Sequence, residues 1–184
     1  MKKLLFGLLV LSLSAATFAA NPGTDSNANI TVEAKLQVIA PTTDLVIEHF
    51  TKSGAWEPVV NVISFDHGGV IAATATPTTV PNSNLIEKFR IRRADGTILK
   101  TKTPTSTPDY TNISIKIGSD TNSVGSMIGA GAPISHTFKI SQPAASTLEK
   151  TEAQFNIESE VKQIAANQVA GVYTRTETVT VALN

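Results

Sequence analysis

The chain has no cysteine among its 184 residues, and aromatic side chains make up only 5% and charged ones 16%. Without cysteine there is neither a disulfide scaffold nor a thiol nucleophile. The few charges are balanced, 15 basic against 15 acidic. That balance excludes the basic field that holds nucleic acid and implies no polyanion partner. A hydrophobic content of 41% fits one globular domain and excludes a wholly disordered chain. Thr, Val, Ile, Ala, Ser and Asn are plentiful, with Gly and Pro scattered throughout. This mixture favours pleated strands joined by turns, so the expected class is all-β.

Apolar runs are short. Lys2 and Lys3 precede an apolar stretch from Leu4 to Leu13, interrupted only by Gly7 and Ser12, and the segment then ends in small residues at Ala19 and Ala20. The pattern is that of a secretory signal. The stretch covers only about half of a ~30 Å hydrocarbon core, and no second one follows, so a membrane anchor is the weaker reading. Cleavage after Ala19 leaves small Thr17 three positions back, whereas cleavage after Ala20 would leave bulky Phe18 there. Residues 1–19 are therefore read as a signal peptide and the mature protein as exported and soluble. Losing Lys2 and Lys3 takes 15 bases to 13 against 15 acids, a side-chain net charge of −2. An exported chain without disulfides must draw its stability from burial or from assembly.

From Asn21 to Ala28 no apolar period exists, and the stretch reads as a flexible tether. Next, Ile30, Val32, Ala34, Leu36 and Val38 alternate with Thr31, Glu33, Lys35 and Gln37. Five apolar side chains thus share one strand face and four polar ones the other. Pro41 ends the ladder. Further strands are predicted at Leu45 to Phe50, Val59 to Phe65, Val70 to Thr76, Leu85 to Arg93, Thr97 to Lys102, Asn112 to Ile117, Ile134 to Ile140, Ala153 to Val161 and Tyr173 to Leu183. Turn clusters are read at Asp66 to Gly69, Pro77 to Asn84, Pro104 to Asp109 and Gly118 to Pro133. Ala94-Asp95-Gly96-Thr97 carries the Asp-Gly hairpin signal. Ala144 to Lys150 and Glu160 to Asn167 have room for a helical turn each. Short strands spaced by turns over one domain point to an antiparallel sandwich, with no repeat and no second domain.

Signals for chemistry are sparse. His49, His67 and His136 are far apart, without a carboxylate at metal-ligand spacing. They read as solvated or capping residues, and no metal or cofactor is expected. No Gly-x-Ser-x-Gly turn marks a nucleophile, although a triad built from distant residues leaves no local trace. Gly125, Gly129 and Gly131 lack the Gly-Lys-Ser/Thr ending of a phosphate loop and read as a long surface loop. The sequons at Asn29 and Asn112 fall in predicted strands and carry no weight. Lys88, Arg90, Arg92, Arg93, Lys100 and Lys102 gather on the Asp-Gly hairpin, with Lys88, Arg90 and Arg92 on one face. They form either a patch for acidic glycans or a solvated face that discourages edge pairing, the second being favoured.

Two segments together resemble a known family. They are the alternating stretch from Asn29-Ile30-Thr31-Val32 through Pro41 to Asp44-Leu45-Val46-Ile47, and the terminal Ala170-Gly171-Val172-Tyr173-Thr174-Arg175-Thr176-Glu177-Thr178-Val179-Thr180-Val181. Together they resemble the ends of major pilins of the alpha-class (class 5) chaperone–usher fimbriae, which include the colonisation-factor and cable pili. Between Thr51 and Gln168 the likeness rests on size and strand content alone. The resemblance implies an immunoglobulin-like sandwich lacking one strand. A periplasmic chaperone fills the resulting groove, and the N-terminal extension of the neighbouring subunit replaces it in a head-to-tail fibre assembled at an outer-membrane usher, with a tip adhesin as a further possible partner. Residues 20–40 are then the donor extension, with Ile30, Val32, Ala34, Leu36 and Val38 entering the groove. Residues 41–184 are the incomplete domain, and the family implies that Val179, Val181 and Leu183 lie at the groove edge, where the C-terminal strand helps the chaperone capture it.

A one-faced apolar strand behind a tether suits that mechanism, because an extended segment adds to a sheet edge through main-chain bonds while alternate side chains enter pockets. Its apolar side chains offer on the order of 6–13 kcal/mol before ordering costs. The ordinary alternative is a first strand packed in its own domain. As to function, a monomeric secreted carbohydrate-binding sandwich and a small secreted hydrolase remain as alternatives to the fibre subunit. An exposed aromatic platform would mark the first, and a histidine, an acid and a serine converging in one cleft the second.

Overall fold

The computed structural model describes residues 28–39, 44–60, 62–72, 77–99, 113–143, 150–166 and 168–183. Among these the chain is all-β: β1 (Ala28–Ile39), β2 (Leu45–Phe50), β3 (Trp56–Pro58), β4 (Ile63–Ala72), β5 (Thr78–Thr79), β6 (Asn84–Arg93), β7 (Ile113–Ile117), β8 (Asn122–Met127), β9 (Ile134–Ser141), β10 (Glu152–Glu160), β11 (Gln163–Ile164) and β12 (Gly171–Leu183). The signal segment, most of the tether, Pro41, Lys100, Lys102 and Asn112 lie outside the described residues.

Two sheets face each other, as the sandwich expectation requires. One has four strands in the order β4-β1-β12-β7 and the other six in the order β3-β2-β6-β10-β9-β8, with a small β11-β5 pair beside them. Alternation decides which side chains fill the space between. Strand β9 turns Ile134, His136, Phe138 and Ile140 inward, and β10 turns Ala153, Phe155, Ile157 and Ser159 inward. Phe65 from the four-stranded sheet meets Phe138 of the six-stranded one edge-on at 5.6 Å, and Phe89 stacks on Phe155 at 5.3 Å. Each such burial contributes about 1.5–3 kcal/mol.

Several expectations need correction. Val59 to Phe65 and Val70 to Thr76, with Asp66 to Gly69 as a turn between them, become the single strand β4, which begins at Ile63 and is described as far as Ala72. The β1–β4 ladder shifts register between Val32 and Glu33, whose partners are Gly68 and Asp66. His67 is therefore the extra residue of a bulge, and the bulge absorbs the kink that the glycines signalled.

Gly118 to Pro133 is not one long loop, because β8 runs through it. Its glycine is there for close approach: a Cβ on Gly125 would lie 2.7 Å from Cζ of Arg175.

The Asp-Gly site makes a turn closed by Gly96 N–H to the Arg93 carbonyl, with Gly96 at φ 73°, but Thr97 to Leu99 form no strand. Leu99 instead bonds the Lys150 carbonyl, and β6 is paired on both sides by β2 and β10. The described part of Glu160 to Asn167 holds β11 and a turn rather than helix.

Candidate functional site

Strand β1 occupies the interior of the four-stranded sheet. It pairs antiparallel with β4 and parallel with β12, the one parallel ladder among the described strands. Its alternating sequence settles which way it faces: Ile30, Val32, Ala34 and Leu36 are all 0% exposed, and Val38 packs half-buried against the same core. Thr31 and Gln37 are exposed on the opposite face. The residues expected to enter a groove thus share one apolar slot, and its walls β4 and β12 belong to the same chain.

The residues expected at the groove edge lie beside them. Val179 stands opposite Val38, Val179 and Val181 are fully buried, and Leu183 closes the β12–β7 ladder opposite Ile113. With β1 in place, β12 is an interior strand.

Behind this slot runs a polar chain that the sequence reading missed. His67 and His136, expected as solvated or capping residues, are 0% and 1% exposed. Ser159 Oγ lies 2.8 Å from Nε2 of each. Arg175 donates to His136 Nδ1 at 3.1 Å, to the His136 carbonyl, to Ser123 and to Glu177, and His67 Nδ1 bonds the Asn82 carbonyl. These partners fix the proton positions. A guanidinium only donates, so His136 Nδ1 accepts and its Nε2–H donates to Ser159. The Asn82 carbonyl only accepts, so His67 Nδ1–H donates to it and His67 Nε2 accepts from the Ser159 hydroxyl. The direction Arg175 to His136 to Ser159 to His67 to Asn82 is continuous, with both imidazoles neutral.

Burial lowers the pKa of His67, partly offset by the Asn82 bond and the Asp66 charge. Burial, the Arg175 charge and His67 push His136 down to about 3. A signal for the chain was present. His136, Ser159 and Arg175 each occupy an inward phase of alternation, between Ile134 and Phe138, after Ile157, and after Tyr173.

Two histidines and a serine do converge, but Ser159 is 0% exposed and Glu177 is joined to them only through Arg175. Substrate would reach Ser159 only by opening the sandwich. His49 stands apart, bonded to Glu87 at 2.7 Å. Among the described residues no cluster of three or more His, Asp or Glu has metal-binding placement.

On the outer face of the six-stranded sheet, Lys88, Arg90 and Arg92 do share one side of β6. Glu48, only 5% exposed, accepts from both Arg90 and Arg92, and Arg90 also bonds Glu152 at 2.9 Å. The β2–β3 pairing sets Phe50 opposite Trp56, with ring centroids 5.0 Å apart. Arg90 lies over Trp56 at 4.7 Å, and Lys88 over both rings at 5.5–5.6 Å.

A scan against protein-family models finds no match, and a search of curated proteins finds none either.

Proposed function

We propose that this protein is a structural subunit of a surface fimbria, of the alpha-class chaperone–usher type that its two ends resemble, and that it polymerises by giving β1 to a neighbour. The observation that carries the reading is the slot itself. Strand β1 is the first described element, four of its five inward side chains are fully buried, and its covalent link to β2 is residues 40–44 alone. Removing it would open two strand edges, β4 and β12, along an apolar trough. Ile30, Val32 and Leu36 together contribute roughly 5–9 kcal/mol of burial, comparable with the stability of a whole domain. A neighbour's β1 in the same slot would restore that burial, and head-to-tail repetition would not close, giving a filament. On this reading the chain leaves through the periplasm, where a chaperone covers the trough, and reaches the cell surface through an usher.

The test is to express the protein with its chaperone and usher, then measure periplasmic complex and surface fibre separately. Val32→Asp and Leu36→Asp should abolish fibres while sparing the chaperone complex, whereas Thr31→Asp and Gln37→Asp should be milder. Normal fibre yield from the first pair would refute the mechanism.

A second reading, a monomeric secreted carbohydrate-binding sandwich with a built-in first strand, is favoured by two observations. Strand β1 fills its own chain's slot, and Phe50 and Trp56 make an aromatic step on the outer face. Loss of the chaperone complex together with fibres in Val32→Asp would support it.

A further inference from the structure

The polar chain behind β1 touches both walls of its slot. His67 is the bulge residue of β4, the antiparallel neighbour of β1, and Arg175 lies on β12, its parallel neighbour, directly opposite Ala34. Both reach across the core to the six-stranded sheet, where His136 of β9, Ser159 of β10 and Ser123 of β8 receive them. The four-stranded sheet is thereby tied to its partner on either side of β1.

We propose that the His67–Ser159–His136–Arg175 chain is an acid-sensitive latch that clamps the β4 and β12 walls of the β1 slot onto the facing sheet and releases them as the pH falls. The inference rests on the donor-strand reading for its purpose, since a slot that loosens in acid is one whose strand is exchanged or lost there.

The bonding leaves no place for another proton. On His136 it would sit on Nδ1, facing the Arg175 guanidinium, which has only hydrogens to offer. On His67 it would sit on Nε2, facing the Ser159 hydroxyl. Ser159 would then accept from both imidazoles, and its own hydrogen would lose the acceptor it has now. The surrounding charges do not compensate. From β12 come Arg175 and Glu177, already paired with each other, and from β4 Asp66, exposed on its outer side. Strand β1 brings Val32 and Ala34, β8 Ser123, β9 Phe138 and β10 Ser159, none of them a carboxylate.

The sign follows from where protons bind. In the closed form both imidazoles are neutral, and when the latch opens they regain an ordinary pKa near 6.5. Below that value the open form takes up protons that the closed form refuses. The balance then moves toward opening by about tenfold per pH unit for each histidine freed.

Amide hydrogen exchange on the full mature chain at pH 7.5 and 5.0, corrected for the intrinsic pH dependence of exchange, tests this directly. Opening of β1, β4 and β12 should rise on the order of tenfold or more at pH 5.0, while the amides of Phe89 and Ile91 in β6 stay protected. The combined variant His67→Gln/His136→Gln, which keeps hydrogen-bonding groups but cannot titrate, should show a flat response. Equal opening at the two pH values, loss of protection spread evenly over both sheets, or the same acid response in the double variant would each overturn the latch. If the double variant does not fold, the ring signals of the wild-type protein decide by NMR. Imidazoles of His67 and His136 that stay neutral from pH 7 to 5 while β1 remains protected support the latch, and titration near pH 6.5 in that closed state rules it out. A labelled peptide of residues 28–39, added at each pH, separates this inference from the fibre reading. Acid opening with peptide uptake supports both, and acid opening without uptake supports the latch and counts against strand exchange.

Discussion

Ala34 of β1 stands directly opposite Arg175 of β12 in the parallel ladder. The inward row of β1 is Ile30, Val32, Ala34 and Leu36, and its one small member lies where the next strand sends a guanidinium into the core. Gly125 leaves room for the same group from the opposite sheet. Small residues from two sheets thus frame the arginine, and its bonds to Ser123 and His136 depend on that space.

Filling the space should therefore be costly. Ala34→Leu adds apolar surface but crowds Arg175, and we expect a net destabilisation of about 1–3 kcal/mol. Urea unfolding midpoints measure it, and unchanged or increased stability would show that the core has slack beside the arginine.

Charge at position 175 should not suffice without the fork. Arg175→Met removes donors from Glu177, Ser123 and His136 and should cost roughly 3–5 kcal/mol, toward the lower end because Glu177 is partly exposed. Arg175→Lys should recover little, since an ammonium cannot reach those acceptors together. Thermal unfolding of the two variants compares them, and a lysine variant of wild-type stability would contradict the geometry.

The outer-face cluster hangs on Glu48. Burial alone would raise its pKa, but the hydrogen bonds and charges of Arg92 and Arg90 outweigh burial and hold it below the ordinary 4.5. A carboxyl depressed in the folded state stabilises it fully above 4.5, and the contribution fades as the pH falls below that value. Glu48→Gln should cost about 1–3 kcal/mol at pH 7 and much less at pH 3. Trp56 is the only tryptophan, so its fluorescence reports whether Arg90 leaves the ring. A wild-type spectrum and midpoint in Glu48→Gln would show that Glu48 does not position Arg90.

Strands with clean alternation were legible in the sequence. β1, β2, β6, β9, β10 and β12 lie where period-2 patterns place them, because one buried face forces apolar residues into every second position. β8 was not legible. Its inward positions are Ser123, Gly125 and Met127, and its exposed ones include Val124, so small residues that admit Arg175 look like a loop. β4 hid behind Gly68 and Gly69, since a bulge and a turn use the same residues. The pairing of β1 with β12 and the convergence of His67, His136 and Ser159 come from topology, which no local pattern encodes, although their inward phase was readable for all but the bulged His67.

The parallel ladder also sets an order of events. Ile30 pairs with Gly171, 141 positions later, so the first of the described strands waits for the last. At about 5–20 residues per second this gap lasts roughly 7–28 s. During it the apolar face of β1 has no native partner on the β12 side, and no truncated nascent chain can complete the four-stranded sheet. Closing so long a loop between chain ends also raises contact order, which places folding toward the slow end of the range for single domains. The same ladder that buries β1 so completely cannot form until β12 has been made.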